Sequence, residues 1–243
     1  MEAVILAAGR GQRMEGLAKP FYKPLLEVNG MSLVAYAVEY ASASGAQRVT
    51  VVVSSANRND IAAALSSYST WVQFVVQDEP AGPGHAAMVG LQNAKDDQTM
   101  LLMSDNVMDQ DTVASMALDS QIKNSDAIGV QTVPLSQSGR FTRIQRRRGF
   151  DDQYIFVEGG SVGEDDVWSG QNTKVWCGPV IFQTDRALKV LHDEWSKHSQ
   201  SCEMKIGPHL NAILRHPVYL YDVNAFDVGI PAAYIAQLQV EAL

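Results

Sequence analysis

At 243 residues, 46% hydrophobic and 19% charged, the chain is long enough to bury a sizeable core and far from the composition of a disordered segment. Its formal charge of -8 argues against duplex nucleic acid or an anionic membrane as partner, since either repels such a surface; a phosphorylated small molecule held by a few local cations or a metal stays compatible. Cys177 and Cys202 form no disulfide framework, no apolar run approaches the ~20 residues of a membrane helix, and nothing reads as a signal peptide, so a soluble cytoplasmic protein is expected.

Residues 3–7 read as a buried strand, 32–44 as a helix with Gly45 at its C-terminal cap, and 48–54 as a β-branched strand. A helix is predicted over 59–68 behind Asn59, a strand over 71–77, a helix over 84–94, a strand over 99–105 ending on an acid, and a helix near 110–122. This strand–helix alternation predicts a Rossmann-like α/β fold with a mixed, mostly parallel sheet and helices on both faces. After residue 130 the rhythm changes. "RFTRIQRRRGFDDQYIFVEGG" reads as an antiparallel insertion turning at Arg148-Gly149, and acidic 162–172 as a mobile loop. A strand over 174–185, helices near 184–197 and 206–215, a strand over 217–223 and a closing helix over 231–243 complete the chain. No repeat or linker divides it, so one domain over 1–243 is expected, in two halves of different rhythm, 1–130 and 131–243.

The opening stretch "LAAGRGQRM" invites comparison with a dinucleotide-binding loop. That reading fails, because Met14 stands at the third glycine position, no helix begins there, and "KPLLEVNG" arrives early. Gly9 and Gly11 suit a different use: without side chains, backbone N–H groups can crowd around phosphate oxygens. Arg13 then offers a planar fork for the outer phosphates and Lys23 a compact charge for the reacting one. "LAAGRGQRM…KPLLEVNG" resembles the signature of the sugar nucleotidyltransferases, the nucleoside-diphosphate-sugar pyrophosphorylases, and the spacing from Arg13 to Lys23 is similar to their thymidylyl- and guanylyltransferase branch. The resemblance implies a catalytic pair Arg13 and Lys23, with Ala8, Gly9 and Gly11 at the nucleotide. In "QDEPAGPGHAAM" it implies base contacts from Gln77, Gly82 and Gly84. His85, at a predicted helix start, reads as a structural hydrogen-bonding group rather than a catalyst.

In "LLMSDNVM", Asp105 lies at the C-terminal end of a predicted strand, where open α/β sheets place their sites and where a carboxylate suits Mg²⁺. Far downstream "FDVGIPAAY" resembles a second signature of the family, and it implies that Asp227 joins Asp105 on the metal. Asp222 lacks the following Val-Gly-x-Pro and reads as a strand-end acid. On the acceptor side the resemblance assigns Glu158 to sugar hydroxyls, for which a carboxylate accepts two hydrogen bonds. The lysine that follows this glutamate in the family is here Gly159, so the acceptor's phosphate needs another cation, for which Lys174 is the candidate. "VWCGPVIF" aligns with a family strand in which Gly178 permits close sugar approach, and Trp176 replaces its asparagine. The basic run Arg146–Arg148 reads as a solvated hairpin tip rather than a nucleic-acid site, and Cys177 as a small buried hydrophobe.

The expected activity is Mg²⁺-dependent condensation of an NTP with a sugar 1-phosphate to an NDP-sugar and pyrophosphate, with uracil or thymine favoured by resemblance alone. The small-molecule partners are therefore NTP and sugar phosphate; homo-oligomerisation stays open. Two other readings compete: a cytidylyltransferase for a non-sugar phosphate such as phosphocholine, which the missing lysine favours, and a nucleotide-sensing domain without turnover. The joint presence of Arg13, Lys23, Asp105 and Asp227 disfavours the latter.

Overall fold

The structure is a computed structural model that describes residues 1–9, 22–147, 149–150, 153–159, 163–197 and 203–227. Gly11, Arg13, Cys202 and the closing helix expected over 231–243 lie outside these residues.

In chain order the strands and helices are β1 (Glu2–Leu6), β2 (Glu27–Val28), β3 (Met31–Ser32), α1 (Leu33–Ala43), β4 (Val49–Ser54), α2 (Arg58–Ala64), β5 (Val72–Gln77), α3 (Pro83–Leu91), β6 (Gln98–Met103), β7 (Asn106–Val107), α4 (Gln110–Lys123), β8 (Asp126–Pro134), β9 (Thr142–Arg146), β10 (Tyr154–Glu158), β11 (Asn172–Gln183), α5 (Thr184–Lys197), α6 (Leu210–Ile213), β12 (Val218–Asp222) and β13 (Phe226–Asp227). The local signals act where they stand. Ser32 Oγ accepts from Ala35 N–H at the start of α1, Gly45 follows that helix at φ +70°, and Asp109 accepts from Thr112 N–H to open α4.

Strands β6-β1-β4-β5 run parallel and form one part of a mixed sheet. Alternate residues of β1 feed two cores. Ala3 and Ile5 pack with α1 and α4 on one face, while Val4 and Leu6 pack with α3 and α5 on the other. Burial on both faces is why β1 and β4 read as unbroken apolar runs. The antiparallel hairpin β9–β10 is the predicted insertion.

Several features differ from the sequence-based expectation. The helix expected over 59–68 behind Asn59 begins at Arg58 behind Asn57, which makes no side-chain cap bond, and gives way to a 3-10 turn over Ser66–Tyr68. The nine-residue strand β8 runs through 126–134, where no strand was predicted; its apolar run is interrupted at Gly129, beyond which Gly178 Cα and Pro179 of β11 crowd in. The helix expected over 206–215 is short, with a 3-10 turn over Gly207–His209 leading into α6. The segment expected to be a mobile loop over 162–172 is instead anchored from 163 onward, because Asp166 is fully buried in an ion pair with Arg143 at 2.8 Å.

One register relation creates the cleft. Along one edge Asn172–Trp176 and Val180–Ile181 of β11 pair with β8; along the other, Val180–Gln183 pair with β6 and Lys174–Val175 pair with β9. The β9–β10 hairpin therefore continues the line of β6 and β1 past their C-terminal ends. The interval from Val175 to Val180 spans on the order of 15 Å at ~3.3 Å per residue, shortened by the irregularity between Trp176 and Val180. This gap lies between the C-terminal end of β6 and the start of β9, where Thr142 pairs with Glu158.

Candidate active site

The residue after β1 emerges along a fixed path. Ala7 N–H donates to Val52 O at 2.8 Å, and the buried Asn57 amide donates to Ala7 O at 2.8 Å while its oxygen accepts from Ser54 N–H. Ala8 follows half-buried and Gly9 exposed, with open space where a Cβ would stand. On the next strand Ser104 Oγ donates to Leu6 O at 2.7 Å, tying the end of β6 to the end of β1. Asn106 Nδ2 donates to Cys177 O at 2.9 Å, tying β7 to β11. The Tyr40 hydroxyl donates to Met108 O and accepts from Met108 N–H; burial pushes its pKa up to about 12, so it stays a protonated bracket. Asp105 is thus held between two fixed neighbours.

Lys23 reaches it from a separate segment. Pro24 sets a 3-10 turn over Lys23–Leu25, Leu26 O accepts from Leu33 N–H, and Tyr22 OH donates to Ala56 O. Lys23 Nζ then donates to Asp105 Oδ2 at 2.5 Å. The backbone of Asp227 lies opposite Asn106 in the antiparallel β7–β13 ladder, one residue from Asp105. Two acids 122 positions apart in sequence thereby come to one end of the sheet, and only the backbone of Asp227 is described there.

The loop after β5 is shaped internally. Gln77 Nε2 donates to Gly82 O at 3.1 Å and contacts His85 Nδ1 at 3.0 Å. The Gln77 amide nitrogen therefore holds the turn in place, a use the sequence reading did not foresee. Gly82 sits at φ +91°, and a Cβ there would stand 2.7 Å from Met204 O; one at Gly84 would meet the same segment. Both glycines make room for residues 203–205, which bond directly to the loop: Met204 N–H donates to Ala81 O at 2.8 Å and Gly84 N–H to Met204 O at 2.7 Å. The His85 ring lies against Trp195 of α5, tilted by 31° with centroids 4.3 Å apart, and burial lowers its pKa, so the neutral ring is favoured.

On the hairpin side, Glu158 pairs with Lys205 at 2.7 Å and accepts from Thr142 Oγ1 at 3.5 Å. Lys174 points elsewhere. It pairs with Asp222 at 3.4 Å, contacts Thr132 and lies 5.6 Å from the Trp168 ring, on the side of β8 and β12. Where a Cβ at Gly178 would stand, Val223 and Gly129 crowd in, so that glycine serves the approach of β8 to β11; Trp176 Nε1 donates to Gly178 O. Lys205, Asn57 and Ser104 were missed from sequence. Lys205 belongs to no motif, and its relation to Glu158 exists only through the packing of 203–207 under the hairpin.

No described helix is long and apolar enough to cross a membrane. Among curated proteins the chain is 28% identical over 220 residues to the low-salt glycan biosynthesis nucleotidyltransferase Agl11 of Haloferax volcanii, covering 84% of this chain and 60% of that protein. It is 26% identical over 197 residues to the bifunctional protein GlmU of Geobacter metallireducens, covering 79% of this chain and 40% of that one. The chain thus spans about 40–60% of the length of these relatives. Among solved structures it superimposes on a UDP-glucose pyrophosphorylase complexed with UDP-glucose, with TM-score 0.75, 18% identity, and 99% and 98% of the two chains covered. It also superimposes on HddC from Yersinia pseudotuberculosis, with TM-score 0.69, 19% identity and 99% of each chain covered. At these identities the likeness is one of fold. The model of the MobA-like NTP transferase domain matches residues 3–220, nearly the whole of the chain, and the chain belongs to the MobA-like NTP transferase family.

Proposed function

We propose that the protein condenses an NTP with a sugar 1-phosphate, releasing pyrophosphate and an NDP-sugar. The observation that carries this reading is the Lys23–Asp105 pair at the C-terminal end of a parallel strand, with the backbone of Asp227 one residue away in the β7–β13 ladder. The shared fold with a UDP-glucose pyrophosphorylase and the similarity to a nucleotidyltransferase of glycan biosynthesis support it.

Asp105 and Asp227 would hold a magnesium ion. Their hard carboxylate oxygens suit it, and Mg²⁺ needs only one or two protein carboxylates beside substrate phosphates and water. Accordingly, no cluster of three His, Cys, Asp or Glu is required, and none gathers among the described residues. When bound, the ion supplies charge neutralisation on the triphosphate. Gly9 and Gly11 present backbone N–H groups to the phosphates, and Arg13 holds the outer two. Lys23 Nζ turns from Asp105 toward the α-phosphoryl oxygens once a nucleotide arrives. An acceptor phosphate oxygen attacks the α-phosphorus; the new P–O bond forms as the bond to the bridging oxygen breaks, and that electron pair leaves with pyrophosphate. The attacking monoester is already anionic at neutral pH, so positioning and charge neutralisation, rather than a strong base, are what the residues provide.

The test is a matrix of the common NTPs against sugar 1-phosphates and phosphocholine, scored by pyrophosphate release with magnesium present. Release with a sugar 1-phosphate is expected. Release confined to CTP with phosphocholine would transfer the activity to a non-sugar acceptor, and nucleotide binding with no product in any cell of the matrix would refute transfer altogether.

A further inference from the structure

We propose that Lys205 is the cation that receives the phosphate of the acceptor substrate, and so determines that the acceptor is a phosphate ester; the inference rests on the nucleotidyl-transfer reading above. In that reaction a monoester carrying nearly two negative charges must approach a triphosphate within a chain of net charge -8, which demands a local cation on the acceptor side. Among the described residues, Lys174 and Lys205 are the lysines nearest that side. Lys174 is directed toward Asp222 and Thr132, across β8 and away from the gap. Lys205 meets Glu158 at the rim of the gap, and its side chain is 58% exposed against 23% for Lys174.

The backbone under Lys205 is fixed on both sides. Its neighbour Met204 exchanges hydrogen bonds with Ala81 and Gly84 of the nucleotide-side loop, while Gly207 packs directly beneath Glu158 and Thr142. Residues 203–207 therefore bridge the loop after β5 to the end of β10, and Lys205 stands between that loop and Glu158. An ammonium has three donors, so one hydrogen can stay on Glu158 while the others turn to a phosphate. Glu158 keeps an oxygen for hydroxyl groups. Together the pair offers a cation and an acceptor side by side, the complement of a polyol phosphate. A pair that served only as a surface salt bridge would contribute little and would leave kinetics unchanged.

The experiment uses whichever NTP and phosphate ester the wild-type protein turns over in the matrix above, with steady-state constants for both substrates. Lys205→Ala and Lys205→Gln should raise the acceptor KM by about tenfold or more, as expected for loss of a charge-assisted contact, and leave the NTP KM within about twofold. Lys205→Arg should restore most of the acceptor affinity. Lys189→Ala, which removes an exposed lysine paired with Asp193 on α5, should match wild type. Thermal melts of each variant confirm folding. An acceptor KM unchanged in both Lys205 variants, or a parallel rise in both substrates' KM, would overturn the role of Lys205 while leaving nucleotidyl transfer intact. Absence of turnover by the wild-type protein in every cell of the matrix removes both.

Discussion

At the scale of single residues, the Lys23–Asp105 contact couples a mobile charge to a fixed one. Asp105 is held by the bonds of its neighbours Ser104 and Asn106, whereas Lys23 has a flexible stem that can exchange partners. Asp105→Asn keeps the volume and removes the charge, so turnover should fall by about 100-fold or more while nucleotide affinity changes far less; pyrophosphate release and nucleotide titration measure the two separately. Arg143 and Asp166 pose a different problem, being almost completely buried. Burial opposes ionisation of Asp166, but hydrogen bonds from Gly163 N–H, Gln145 and Arg143 outweigh it and lower its pKa. Arg143 also donates to Gly159 O, the peptide directly after Glu158. Arg143→Met should therefore cost about 3–5 kcal/mol, because it leaves a buried carboxylate uncompensated. The sign of the pH effect follows from the lowered pKa. Stability from Asp166 is present above the ordinary carboxylate value near 3.8 and is lost as pH falls through the lower folded value. Urea midpoints measured from pH 5 downward should fall in the native protein and should lose this component in the variant.

At the scale of elements, the segment 203–207 and the start of α3 form one packed unit. A Cβ at Gly82 would collide with Glu203 and the Met204 backbone, on a residue already at φ +91°. Gly82→Ala should thus destabilise the protein by about 1–3 kcal/mol and, by displacing Lys205, weaken the acceptor more than the nucleotide. His85 links this unit to α5 through Trp195. Its pKa is lowered by desolvation, so the unfolded chain takes up a proton at higher pH than the folded one. The corresponding stability is present above the unfolded value near 6.5 and declines as pH falls below it. Protonation would also place a donor at Nδ1 against the donor Nε2 of Gln77, opening the turn at Gly82. Melting temperatures between pH 7.5 and 5.5 should fall more steeply for the native protein than for His85→Gln.

At the scale of the whole molecule, burial separates the central strands from the hairpin. Strands β1, β4 and β6 are buried between two helical layers, whereas the β9–β10 hairpin projects beyond them and exposes Ile155. Amide exchange should be slowest in β1 and β4, approaching the global unfolding limit, and faster by at least about tenfold in the hairpin; equal rates in both would contradict this separation.

What the amino-acid order determined by itself was local and periodic: the apolar strands, the helix stop at Gly45 and the β9–β10 hairpin. These signals lie within a few residues of one another and need no distant partner. Tertiary structure alone decided the rest. Strand β8 was hidden because Gly129 weakens its pattern in order to admit Gly178 of β11. Lys174 was drawn to Asp222 by the pairing of β8 with β12, and Lys205 was carried to Glu158 by a segment with no motif of its own. Such contacts depend on which strand edges meet and at what register, quantities set by packing across the whole sheet and absent from any short stretch of sequence.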